Sequence, residues 1–170
     1  TDTAALYGGW QPIFRQLLGL ASLPEDRQVS EERVVDYLEQ HPQFVELAPL
    51  LNPVLSLELP ENDVTAHMAG RVRGENTRDL LVQLLQTAAA SSPLVILVED
   101  AHWQDSASWS MCEAAGRCES NVLLVLTTRP FQAEAPDQYQ WLAASPRTRR
   151  LELGRLTLED TTELLRTCLD

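Results

Sequence analysis

The stretch that decides the fold is Pro93–Ser106, PLVILVEDAHWQDS, read together with its echo at Val122–Pro130, VLLVLTTRP. Five consecutive aliphatic residues, Leu94 to Val98, show no polar alternation and stop at two acids. With Pro93 ahead of it, the run makes Pro93 to Val98 read as a strand buried on both faces. Val122 to Thr127 repeats the pattern and reads as a second buried strand. Around them the spacing is helical. Thr77 to Ala90 places Leu80, Leu81, Leu84 and Leu85 on one side of an amphipathic helix that extends back as far as Gly70, and Ser106 to Arg117 reads as another helix. A third strand is expected around Leu151 to Leu153. A last helix, Thr157 to Leu169, opens with Thr157 and, three residues on, Asp160, and turns Leu164, Leu165 and Leu169 inward. Helices alternating with buried strands predict an α/β fold, a parallel sheet wrapped by helices.

In such sheets ligands lie beyond the carboxyl ends of the strands. Glu99 and Asp100 leave one strand there, and Thr127, Thr128 and Arg129 leave the next. Three acids within seven residues, Glu99, Asp100 and Asp105, suggest a cation. One carboxylate can hold Mg²⁺ directly or through water while the metal bridges phosphates, and a second can orient an attacking water. Each residue also has a plainer reading. Arg129 can pair with one of many carboxylates, His102 and Trp103 can pack the strand-to-helix turn, and Asp105 before Ser106 can simply cap a helix.

The rest of the chain narrows the function classes. The first third is helical and irregular: Trp10, Ile13, Phe14, Leu17 and Leu18 fall at helical spacing behind Pro12. Ser30 reads as the cap of a helix that His41-Pro42 ends, and Pro49, Pro53 and Pro60 break the next stretch into short turns. With 170 residues, 44% of them hydrophobic, the chain has the material for one core. A net charge of −12 argues against direct nucleic-acid contact. No run nears the roughly 20 apolar residues of a membrane span, and the start lacks a signal-peptide pattern, so a cytoplasmic address without membrane contact is expected. Cys112, Cys118 and Cys168 are odd in number and lack metal-site spacing, which predicts free thiols. All 13 cations are Arg. The chain therefore has no Schiff-base lysine and no lysine for a phosphate-binding loop.

VEDAHWQDS followed some twenty residues later by LLVLTTRP resembles the AAA-like, STAND-type P-loop ATPase modules found with class III adenylyl or guanylyl cyclases and in large LuxR-type transcriptional regulators. YGGWQPIFRQLLGL, PLLNPVLSLELPE and LGRLTLEDTTELL fit the same resemblance, which covers most of the chain. It implies a partial P-loop NTPase-type sheet of about three strands with a helical N-terminal third. Within one partial ATPase domain, 1–69 would be the helical region, 70–155 the Walker B and sensor core, and 156–170 the start of a further helical subdomain. The implied cofactors are ATP and Mg²⁺, and the implied partner is a cyclase or DNA-binding output domain in the same parent chain. By the same resemblance Glu99 would be the Walker B acid nearest Mg²⁺ and Asp100 a metal neighbour that positions water. His102 and Trp103 would shape the loop under the phosphates, Asp105 with Ser106 would open the next helix, and Thr128 with Arg129 would sense the terminal phosphate.

The chain departs from that family in one respect: G-x-x-x-x-G-K-[ST] is absent, and the YGGW at Tyr7–Trp10 has no following Lys or hydroxyl. Either the Walker A strand and loop lie upstream of Thr1 and the segment alone is inactive, or the chain is a degenerate relative acting as a non-catalytic scaffold. Loss of that strand would open a gap beside the strand ending at Thr127, and exposed strand edges favour self-association.

Overall fold

The computed structural model describes residues 6–24, 26–118 and 121–169. Helix α1 spans Gln11–Leu17, with proline in its first turn, where a missing N–H costs nothing. Helix α2, Arg27–Glu39, starts ahead of the expected Ser30. Its cap is Asp26, whose Oδ1 accepts from the amides of Gln28 at 2.8 Å and Val29 at 3.3 Å. Ser30 instead lies buried inside the helix. The correction has a local cause: an aspartate four residues earlier already satisfies the free amides of the first turn. A 3₁₀ stretch, Pro42–Leu51, and the short α3, Asn52–Leu55, carry the proline-broken segment.

The long helix α4, Gly70–Ser91, begins at the earlier of the two anticipated starts and buries Leu80, Leu81, Leu84 and Leu85. Strand β1, Leu94–Val98, helix α5, Ser106–Arg117, and strand β2, Val122–Leu126, come next, as the sequence predicts. The strands pair in parallel, Leu94 with Val122 through Val98 with Leu126. A single core unites the chain from Trp10 and Phe14 through the α4 leucines to Ile96, Val98, Trp109 and Met111. The Trp10 indole N–H donates to the buried Ser108 carbonyl at 3.1 Å, tying the N-terminal helices to α5.

Three expectations fail here. The strands are not buried on both faces: Ile96 and Val98 enter the core, but Val95 is 71% exposed and Leu97, Leu123 and Val125 also face solvent. An unbroken aliphatic run signals two covered faces only where a second layer exists, and no described residue supplies one. The strand expected at Leu151–Leu153 does not form, and Leu153 is 95% exposed. Alternation alone cannot make a strand without a neighbour to accept its hydrogen bonds. The sheet therefore has two strands among the described residues, not about three. Helix α6, Asp137–Ala144, was not anticipated; it docks Leu142 where Gly116 of α5 leaves room, since a Cβ there would sit 2.6 Å from Leu142 Cδ2.

Helix α7, Leu158–Leu169, does open with the anticipated reciprocal cap, Asp160 N–H donating to Thr157 Oγ1 and Thr157 N–H to Asp160 Oδ2, both at 3.1 Å. Its Leu164 and Leu165 nevertheless point into solvent, because nothing described lies against them; the Leu169 side chain falls outside the described residues. No helix among the described residues is long and apolar enough to cross a membrane.

Candidate functional site

The parallel register places the exits of β1 and β2 side by side, and Thr127 ties them together. Its amide donates to the Val98 carbonyl at 3.0 Å, its carbonyl accepts from the Ala101 amide at 2.8 Å, and its hydroxyl accepts from the Asp100 amide at 3.1 Å. These bonds fix the turn that carries the acids. Asp100 itself sits in the left-handed region, φ 48°, ψ 41°. That conformation disfavours ordinary side chains and is best tolerated by Gly, Asn and Asp. The chain turns there into a 3₁₀ turn, Ala101–Trp103, anchored by buried Ala101.

Both acids project from this turn into solvent. Glu99 makes no hydrogen bond or ion pair among the described residues, and Asp100 Oδ1 has only His102 Nδ1 near it, at 3.9 Å. His102 is the bridge across the rim. With its side chain 13% exposed, its Nδ1 accepts from the Arg129 amide at a long 3.5 Å. The other ring nitrogen, Nε2, is buried without a partner. Leaving such a group unpaired costs about 1–3 kcal/mol, a penalty the surrounding packing must offset. Trp103 does not pack the turn from inside: it is 80% exposed and lies tilted against the His102 ring, centroids 5.0 Å apart. On the second exit, Thr128 and Arg129 are exposed, the Thr128 hydroxyl donates to the Arg129 carbonyl at 2.9 Å, and Arg129 has no ion-pair partner among the described residues.

Glu99, Asp100, His102, Trp103, Thr128 and Arg129 thus share one rim. Asp105 has another task. It caps α5, accepting from the Ser108 amide at 2.9 Å and the Ser108 hydroxyl at 2.6 Å, and it also accepts from the amides of Tyr7 at 3.4 Å and Gly8 at 3.3 Å. Partial burial works to raise its pKa, but the four donated bonds outweigh it and hold the carboxyl below the usual aspartate range. Tyr7, which closes this contact, is itself left-handed at φ 64°. Neither this long-range grip nor the central place of Thr127 had a signal in the sequence beyond the capping propensity of Asp and the polar end of β2.

Glu99 and Asp100 offer hard oxygen donors with no cationic side chain drawn onto them, which suits Mg²⁺. Among the described residues no group of three or more His, Cys, Asp or Glu side chains gathers around a common point. A cation held by this pair would take its remaining ligands from outside the described side chains. A cleft of about 300 Å³, lined by Tyr7, Arg71, Glu75, Arg78, Ser106 and Ser110, contains none of the rim residues. The thiols take no part either: burial pushes Cys112 up to about 12, and only Cys168 is exposed.

No protein-family model, curated protein or solved structure matches this chain.

Proposed function

We propose that this chain is part of an ATP-binding, signal-transducing NTPase module, in which it supplies the acids and the sensor pair while another segment supplies the phosphate-cradling loop. The observation that carries the reading is the pairing of two strand exits on one rim, unpaired Glu99 and Asp100 on one and Thr128 with Arg129 on the other. A bound Mg²⁺ would neutralise charge on the nucleotide phosphates and bridge them. Glu99 and Asp100 are the donors for that cation. Asp100, held in its left-handed turn by Thr127, is also the group to accept a proton from, or orient, a water beside the terminal phosphate. Arg129 brings a positive charge and Thr128 a hydroxyl to the opposite side of the rim, where both can register whether that phosphate is present. The Arg129 amide and His102 couple the two exits, so a change at one reaches the other. An output domain in the same parent chain, a cyclase or a DNA-binding domain, would receive that change.

The absence of lysine favours a second reading, a scaffold that keeps the fold for protein contacts without nucleotide. Calorimetric titration of Mg-ATP separates the two. The titration compares the chain alone with the chain joined to any G-x-x-x-x-G-K-[ST]-bearing segment of its gene. Binding only by the joined form supports the module; no heat from either form leaves the scaffold.

A further inference from the structure

The exposed face of the sheet and the C-terminal segment are two apolar surfaces that the described residues leave uncovered. On the sheet, the register sets Val95 beside Leu123 and Leu97 beside Val125, so four aliphatic side chains form one contiguous patch. Parallel strands occur almost only in sheets covered on both faces, and an exposed apolar quartet on one face implies a covering layer. In the C-terminal segment Leu151 and Leu153 lie two apart, as on one face of a strand, and Leu158 and Leu165 lie seven apart, as on one face of a helix. All four are more than half exposed.

Among the described residues nothing packs over this segment: residues 146–168 are all exposed apart from the partly exposed Thr161. It departs from the helix-covered side of the molecule. Leu142 seats α6 against Gly116 of α5, and the Arg147 guanidinium donates to the Cys118 carbonyl at 3.0 Å. Charge complements the apolar match. Residues 147–155 hold four of the 13 cations and only one of the 25 acids, whereas the rest of the chain is strongly negative. Arg149 and Arg155 have no ion-pair partner among the described residues, and Glu99 stands unpaired at the end of the apolar patch.

We propose that the sheet face is covered by the 151–165 segment of a second copy of this chain, in a reciprocal exchange that forms a two-fold dimer. Both copies then bury the same two surfaces, the self-complementary arrangement that closes without leaving a free end. The exchange removes on the order of 1,000 Å² from water, at the low end for a specific interface, which predicts a concentration-dependent dimer rather than a permanent one. It requires neither nucleotide nor metal, so it stands or falls apart from the proposed function.

Sedimentation velocity on the chain over a range of concentrations, without nucleotide, tests this. One variant carries Leu123→Thr with Val125→Thr on the sheet, and another carries Leu158→Gln with Leu165→Gln on the tail. These side chains are solvent-facing in the single chain, so both variants fold, as far-UV circular dichroism verifies. The wild type dimerises, and each variant alone raises the dimer dissociation constant at least tenfold. A mixture of the two variants recovers a dimer, because one intact sheet face meets one intact tail, weaker than wild type but tighter than either variant alone. A wild type that stays monomeric means that the face is bare or covered by its own tail, and overturns the proposal. Variants that dimerise like the wild type overturn it too, as does a mixture no tighter than its parts, which marks like-on-like packing.

Discussion

Replacing Asp105 by alanine removes four hydrogen bonds, two local ones to Ser108 and two that reach back 98 and 97 residues to the amides of Tyr7 and Gly8. The loss of the α5 cap is worth about 1 kcal/mol. The Tyr7 and Gly8 amides, at 3.4 and 3.3 Å, are at the long end of hydrogen bonding and together add about 1 kcal/mol more. The total, about 2 kcal/mol, corresponds to a Tm roughly 4–8 °C lower for a domain of this size. Asp105→Asn keeps one acceptor oxygen and loses about half as much. The pH dependence has a definite sign. Because the folded pKa is lowered, the contribution is fully present above the ordinary aspartate pKa of about 4 and disappears as the pH falls through the lower native value. Urea denaturation of wild type and Asp105→Ala at neutral pH and near pH 3 therefore gives a large difference at the first and a smaller one at the second. A difference below about 0.5 kcal/mol at neutral pH, or one that does not shrink in acid, would refute the assignment of Asp105 as a cap and return it to the rim's chemistry.

Other substitutions separate the rim from the scaffold. At Asp100, asparagine is accepted without loss because it tolerates the left-handed backbone, whereas valine costs about 1–2 kcal/mol, measured by the same denaturation. Valine as stable as asparagine would contradict the φ of 48°. Thr127→Val removes the hydroxyl that accepts from the Asp100 amide while keeping the strand. It lowers stability by about 1 kcal/mol, and hydrogen exchange at the Asp100 amide accelerates. A thiol reagent titrated into the native chain finds one fast-reacting group, Cys168. Cys112, pushed up to about 12 by burial, and buried Cys118 react only as the protein unfolds, and two or more fast thiols would contradict their burial.

The features legible in the sequence are those whose signals are local. The ends of α5, Ser106 and Arg117, coincide with expectation because an aspartate cap precedes one and the helical spacing breaks at the other. Both strands were readable from their aliphatic runs, and their parallel pairing placed Glu99, Asp100, Thr128 and Arg129 on one rim as anticipated. The failures concern layers. A run such as LVILV looks alike whether one or both of its faces are covered, so the exposure of Val95 and Leu97 was invisible. Leu151 and Leu153 carried strand-like alternation without a partner strand among the described residues, and α7 carried a sound cap with no described surface of its own chain to dock on. The turn at Tyr7 and Gly8 that grips Asp105 is a contact between distant segments, which no local pattern encodes.

The rim's proposed chemistry is tested most directly by separating binding from turnover in the chain joined to any G-x-x-x-x-G-K-[ST]-bearing segment of its gene, comparing wild type with Glu99→Gln/Asp100→Asn in parallel ATP-binding and ATP-hydrolysis assays. The account predicts that hydrolysis falls at least 100-fold, about 2.7 kcal/mol of transition-state stabilisation, while nucleotide still binds. Hydrolysis undiminished by the double substitution would contradict it, for the two acids at the exit of β1 would then have no part in the reaction.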